Sequence, residues 1–196
     1  MKFEYAQGAT PLDPDEVDGL IPFHITTQGQ LNEWEAANIL EAESWLFSTA
    51  NPGNFLTIEF TRLLHKKMLS KTWEWAGTFR KTSRNIGVDP NKITMDLKNL
   101  LDDLIYQIIN INNGFTIDEI AYRFHHRLVS IHPFPNGNGR HARLMTDYLL
   151  ARAGSPKFTW GKESLIGEGP TRTKYIEALR QADKHDYSKL AAFVRS

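Results

Sequence analysis

Two prolines and two glycines fall within the eight residues 132–139, His132-Pro133-Phe134-Pro135-Asn136-Gly137-Asn138-Gly139. No α-helix runs through such a stretch. Proline removes a backbone donor and clashes with the preceding turn, and the residue before it avoids the helical region. Helical patterning nevertheless stands on both sides. Upstream, Ile117, Ile120, Ala121, Phe124, Leu128 and Ile131 form one apolar stripe. Downstream, residues 140–153 read as helix again. The chain must fold here as helix, tight loop, helix, with His132 at the end of the first helix, on the flank of its buried stripe.

The same helical period organises most of the remaining sequence. Helices are predicted over 31–50, 55–70, 93–110, 116–132, 171–184 and 187–195. The first takes its apolar surface from Trp34, Ala37, Ile39, Leu40 and Trp45, and the second turns Ile58, Leu63 and Leu64 inward. The third has the cleanest spacing, with Leu97, Leu100, Leu101, Leu104 and Ile108 on one face. Asn51-Pro52-Gly53-Asn54 is a turn. Residues 1–30, broken by Gly8, Pro11, Pro14, Gly19 and Pro22, read as a strap over the body that buries Leu20, Ile21 and Phe23. Residues 79–88 are short and turn-rich and read as a β-hairpin or flap. The fold class is mainly α, a helical bundle with one small hairpin.

Length and charge narrow the function. At 196 residues the chain is one domain's worth, and its 23 basic and 23 acidic side chains balance. That balance argues against a protein that coats nucleic acid. The chain has no cysteine, which excludes disulfides, thiolate metal sites and a cysteine nucleophile. The first residues lack an apolar signal core, and no apolar run approaches the roughly 20 residues of a membrane helix. A cytoplasmic protein without membrane or nucleic-acid partners is expected.

The chemistry concentrates at the loop. A glycine-rich turn opening onto a helix N-terminus is an anion site, because unpaired N–H groups and the helix dipole both point at the ligand. Arg140 and Arg143, three apart, share one face of that helix and would clamp a polyphosphate. A histidine beside such a site suggests a general base for phosphoryl or nucleotidyl transfer. No P-loop pattern occurs. Singly, these features are commonplace, since helix-end histidines are mostly structural and Asn-Gly turns mostly turns. His125 and His126 read as solvated rather than metal-binding, and Trp73 and Trp75 as core.

His132-Pro133-Phe134 followed by Gly137-Asn138-Gly139-Arg140 and Arg143 resembles the signature of the Fic family, His-Pro-Phe-x-Asp/Glu-Gly-Asn-Gly-Arg-x-x-Arg. Trp75-Ala76-Gly77-Thr78-Phe79-Arg80 resembles the segment leading into that family's target-binding flap. Residues 172–193, with Tyr175, Ala178, Leu179, Ala182 and Leu190, resemble the helices that close the Fic core. The resemblance covers 54–196, leaving 1–53 as an N-terminal strap and first helix. Residues 8–16 and 24–39 resemble the subgroup labelled mobile mystery protein B.

The resemblance implies a protein adenylyltransferase of bacterial origin that moves AMP from ATP to a Ser, Thr or Tyr hydroxyl of a target protein. It makes His132 the general base. Gly137, Asn138 and Gly139 would line the anion hole, with Asn138 facing the α-phosphate, and Arg140 and Arg143 would hold the outer phosphates. Arg80, Thr82, Arg84 and Ile86 would belong to the flap that binds the target. Asn136 stands where the family has a Mg²⁺-binding carboxylate, which puts metal affinity in doubt. The family's inhibitory motif, Ser/Thr-x-x-x-Glu-Gly/Asn, has a candidate in Ser164 and Glu168. Glu33 and Glu35 offer carboxylates on the first long helix without the full motif, and an antitoxin-like inhibitor is an alternative. Rival readings keep the fold but transfer another nucleotide or a phosphate, or bind without catalysis as half of a toxin–antitoxin pair.

Overall fold

A computed structural model of the chain describes residues 11–48, 53–111, 114–162, 165 and 169–196. Its described helices are α1 (Pro14–Val17), α2 (Gln28–Phe47), α3 (Ile58–Leu69), α4 (Ile93–Ile109), α5 (Ile117–Ile131), α6 (Asn138–Arg152), α7 (Pro170–Ala182) and α8 (Ser188–Val194). Local chemistry sets their ends. Thr57 and Thr116 cap α3 and α5 by accepting the N–H groups of Phe60 and Glu119, each replacing a bond the first turn cannot make. Pro133 stops α5 one residue after its cap, His132.

Helices α5 and α6 pack on each other at the centre. Helix α4 lies on α5, α2 lies on α3, and α7 and α8 close the far side against α5. On α4, Leu97, Leu100, Leu101 and Leu104 are buried, as their spacing predicts. On α5 the buried set is Ile120, Ala121, Phe124, Leu128 and Ile131, joined by His125 and His126. The expected solvation of these two histidines is therefore wrong. His126 pairs through Nε2 with Asp183 at 2.8 Å, which lets it sit inside, and the His125 Nε2 lies 2.9 Å from the Tyr175 hydroxyl.

Helix α2 differs most from its sequence reading. Trp34 and Leu40 are exposed, and the buried face is Leu31, Glu35, Asn38, Ala42 and Leu46. Two of those five are polar, so hydrophobicity alone points to the wrong face. Each polar group is bonded, as burial demands: Asn38 donates to the Thr72 hydroxyl at 2.8 Å, and Glu35 is bonded as described below. On α3, Leu64 is buried but Leu63 is exposed.

The described part of the strap, residues 11–30, lies over the body. Leu20 bridges to Trp73, the Ile21 N–H donates to Thr72 O at 2.9 Å, and the Glu74 N–H donates to Gly19 O at 2.9 Å. Ile25 rather than Ile21 or Phe23 fills the core, and Phe23 stands almost wholly in solvent.

Residues 79–88 form no hairpin ladder. The reason is Arg80, which is buried and whose guanidinium donates to the carbonyls of Thr82, Val88, Ile131 and His132. The carbonyls of Thr82 and Val88, one on each limb of the loop, are thus bonded to a cation and not across to each other. The backbone bonds of the limbs run to the end of α5 and the loop after it, Val88 N–H to Ile131 O and Arg80 N–H to Pro133 O. Arg84 is also withdrawn, pairing with Asp13 and Glu16 of the strap, and Thr82 donates to Asp13. Arg80, Thr82 and Arg84 thus make their contacts within the chain. Ile86 is exposed. Among the described residues no helix is long and apolar enough to cross a membrane.

Candidate active site

The loop between α5 and α6 is closed by its own side chains. The Asn138 amide donates to Phe134 O at 2.8 Å and accepts the Phe134 N–H at 2.9 Å. Both of its polar atoms are thereby turned inward. What Asn138 can offer an anion is its backbone N–H. Phe134 is fully buried, stacked on His65 with ring centroids 3.7 Å apart. Gly137 caps α6 at φ 77°, and a Cβ there would come within 2.8 Å of Leu69. This glycine serves both the left-handed turn and the close approach to α3. No side chain caps α6, so its first N–H groups keep the positive end of the helix dipole for a ligand.

Sequence reasoning missed His65. Its Nδ1 accepts the Gly77 N–H at 2.9 Å, and its Nε2 lies 3.0 Å from Asn136 O. A carbonyl only accepts, so Nε2 carries the proton and one neutral tautomer holds the loop carbonyl in place. Burial first, then the charges of His141 and Arg140, keep His65 from protonating. No local pattern betrays this residue, because its partners lie 12 and 71 positions away.

His132 has the left-handed backbone φ 53°, ψ 59°, uncommon outside glycine. Its carbonyl is gripped by Arg80 Nε at 2.6 Å. Gly87 lies against it, and a Cβ on Gly87 would fall 2.8 Å from the Cβ of His132. The His132 Nδ1 is 3.3 Å from Val129 O, so Nδ1 holds the proton and the lone pair lies on Nε2. Burial, partly offset by the Val129 carbonyl, lowers its pKa to about 4, with Arg80 and Arg84 adding to the fall. At neutral pH the ring is an uncharged base.

The two arginines of α6 differ. Arg140 donates to Glu35 Oε2 at 2.6 Å, while Trp73 Nε1 donates to Glu35 Oε1 at 2.6 Å. A carboxylate of α2 thus reaches across the fold to the first turn of α6. Glu33, its exposed neighbour, does not. Arg143 has no carboxylate within ion-pair distance among the described residues. It is deeply set, so that desolvation disfavours its charge, yet part of its surface stays open. Asn136 is half-buried, and its side-chain oxygen accepts the Gly137 N–H at 2.6 Å. Among the described residues no cluster of three His, Asp or Glu side chains could hold a metal ion. Ser164 and Glu168 lie outside the described residues.

Comparison with known proteins gives the same answer from three directions. Residues 55–150 match the family model described as Fic/DOC family. Protein adenylyltransferase Fic of Culex quinquefasciatus is 29% identical over 147 residues, spanning 74% of this chain and 28% of that protein. Protein adenylyltransferase fic-1 of Caenorhabditis elegans is 35% identical over 126 residues, 61% of this chain and 22% of that one. The chain therefore spans about a quarter of the length of these curated relatives. Among solved structures, the BepC protein of Bartonella tribocorum with bound AMPPNP superposes with TM-score 0.71 at 20% identity, covering 93% of this chain and 97% of that one. The N-terminal Fic domain of a Bartonella quintana cell filamentation protein with bound ADP gives 0.68 at 21%, covering 88% and 86%. With the motif at the α5–α6 junction, the matched core and the shared helical architecture, this chain belongs to the Fic/DOC family.

Proposed function

We propose that the chain is a protein adenylyltransferase that moves AMP from ATP to a hydroxyl of a target protein. The observation that carries the reading is a neutral imidazole with its lone pair on Nε2, locked by a closed loop to an uncapped helix start bearing Arg140 and Arg143. The adenylyltransferases among its relatives support it. In the reaction, His132 Nε2 takes the proton of the target hydroxyl as that oxygen bonds to the α-phosphorus. The bond from the α-phosphorus to the bridging oxygen breaks, and pyrophosphate leaves with the electron pair. Backbone N–H groups of Asn138 and Gly139 face the charge on the α-phosphate, and the two arginines take that of the leaving group. Incubation of the protein with lysate and α- or γ-labelled ATP tests this. Protein labelled only from the γ-phosphate would make it a kinase-like transferase, and no label from either would leave a binding protein.

Mg²⁺ fits the residues present poorly. Asn136 is neutral and its oxygen already serves the Gly137 N–H, so a protein-held ion lacks its carboxylate. Replacing Asn136 by Asp is expected to raise Mg²⁺-dependent transfer about tenfold, the scale of one charge-assisted contact. Unchanged or lower transfer in a Mg²⁺ titration would remove position 136 from metal binding.

Glu35 sets the resting state. Its carboxylate occupies a guanidinium donor that the outer phosphates would use, and its negative charge opposes theirs. Glu35→Gln keeps a polar partner for Trp73 and drops the charge. It is expected to tighten ATP binding by about tenfold. If ATP binds more weakly while thermal stability holds, Glu35 orients Arg140 for the nucleotide instead of competing with it.

A further inference from the structure

Two prolines follow α5, Pro133 and Pro135, and their missing N–H groups are felt inside the helix. Along a helix the carbonyl of residue 129 would take the N–H of residue 133, and that of residue 131 the N–H of residue 135. With proline at both positions neither bond exists. The Val129 carbonyl receives the His132 Nδ1–H instead, at 3.3 Å. The Ile131 carbonyl receives the Val88 N–H and Nη2 of Arg80, each at 3.3 Å. The next two carbonyls also go to Arg80. Its Nε donates to His132 O at 2.6 Å and its backbone N–H to Pro133 O at 2.9 Å. One residue thus holds the carbonyls of Ile131, His132 and Pro133 in succession.

The other donors of Arg80 face loop 79–88. Nη1 donates to Thr82 O at 2.9 Å and Nη2 to Val88 O, so the same guanidinium gathers both limbs of the loop. Gly87 completes the contact, because a Cβ there would fall 2.5 Å from Nη2 and 2.8 Å from the His132 Cβ. Arg80 is only 3% exposed. A buried guanidinium is tolerated where its donors are met, and a cation is favoured where the last carbonyls of a helix carry the negative end of its dipole. Both conditions hold at the end of α5. They matter because His132 is left-handed, a backbone that a residue with a Cβ keeps only when its surroundings impose it. In any other backbone the ring would swing away from the Val129 carbonyl, and nothing would select the tautomer with its lone pair on Nε2.

We infer that Arg80 is a positioning residue, which locks the backbone of His132, and through it the tautomer and aim of the ring, to loop 79–88. Lysine cannot replace it, since lysine's donors radiate from one atom while the flat fork of arginine reaches carbonyls on two sides. The inference rests on the reading of His132 as the base, and its test separates the two.

The variant is Arg80→Lys, which keeps the charge and loses the fork. Two measurements are made on the full chain: the nitrogen shifts of the His132 ring by NMR, which report the tautomer, and AMP transfer to lysate protein, as the rate at saturating ATP and the KM for ATP. The parent is expected to show the Nδ1–H tautomer and the variant a mixture of both. The rate is expected to fall about hundredfold, the scale of a displacement of about 1 Å at a reacting group. The KM for ATP should stay within about threefold, because α6 and its arginines are untouched. A single tautomer in Arg80→Lys overturns the inference, whatever the rates. So does a KM that rises as far as the rate falls, the mark of a generally loosened fold. If Arg80→Lys does not fold, the parent decides. Scalar coupling across the hydrogen bond from the Arg80 Nε–H to the His132 carbonyl upholds the link, and its absence overturns it. A mixed ring with the parent's rate, or beside a parent that transfers no AMP, upholds the positioning role and sinks the reading of His132 as the base.

Discussion

His132→Ala is expected to lower transfer of α-labelled AMP to protein by about 10²–10⁴-fold, the range of a lost general base. The geometry makes the expectation specific. Nδ1 is bound to the Val129 carbonyl, so the ring has one nitrogen with a lone pair and one direction in which to use it. Because burial holds the pKa at about 4, the ring does not titrate between pH 6 and 8, and the rate should show no histidine limb in that range. The alternative cause of lost activity is a disturbed loop, since His132 sits in left-handed backbone gripped by Arg80. His132→Asn separates the two, because asparagine tolerates that backbone far better than alanine. If His132→Asn retains more than a tenth of the parent rate while ATP still binds, the imidazole is not the base.

How far such a site can be read from sequence depends on the range of the contacts that build it. The helix–loop–helix at 132–139 is local: prolines stop one helix and a glycine starts the next. It is legible, as is the leucine face of α4. Helix α2 is not, because its buried face includes Glu35 and Asn38, whose partners Arg140 and Thr72 lie 105 and 34 residues away. A polar residue at a core position has no signature until its partner is known. The loop 79–88 fails for a related reason. Its turn-rich composition suits a hairpin, but one buried arginine takes carbonyls from both limbs and from the end of α5. Local propensity speaks only where tertiary contacts do not override it. The charge pattern was half legible. Asp13, Asp15, Glu16 and Asp18 of the strap and Arg80, Lys81 and Arg84 of the loop stand out as opposite clusters in the sequence, while their pairing, Asp13 and Glu16 on Arg84, needs the fold.

The histidines that build this interior should also limit its acid stability. Folding lowers the pKa of His125 to about 3 and those of His132 and His141 to about 4, in each case mainly by burial. An unfolded chain protonates these rings below their ordinary 6.5, whereas the folded one does not until pH 4 is near. Their contribution is therefore complete above pH 6.5 and falls as the pH drops, by about 2 kcal/mol each between pH 7 and pH 5. Asp147 has the opposite sign. Burial raises its pKa to about 6, so the folded state takes up its proton first and recovers about 1 kcal/mol over the same span. The net loss is on the order of 5 kcal/mol, with His65 adding in the same direction. Against a typical stability of about 5–15 kcal/mol, that is enough to bring the chain near unfolding at pH 5. Urea titrations at pH 7, 6 and 5 measure it. A loss below about 1 kcal/mol would mean that these rings exchange protons with solvent in the native state, and the neutrality of the proposed base would lose its footing with them. If the steep loss is found, activity below pH 6 should disappear with the fold and not with the titration of His132.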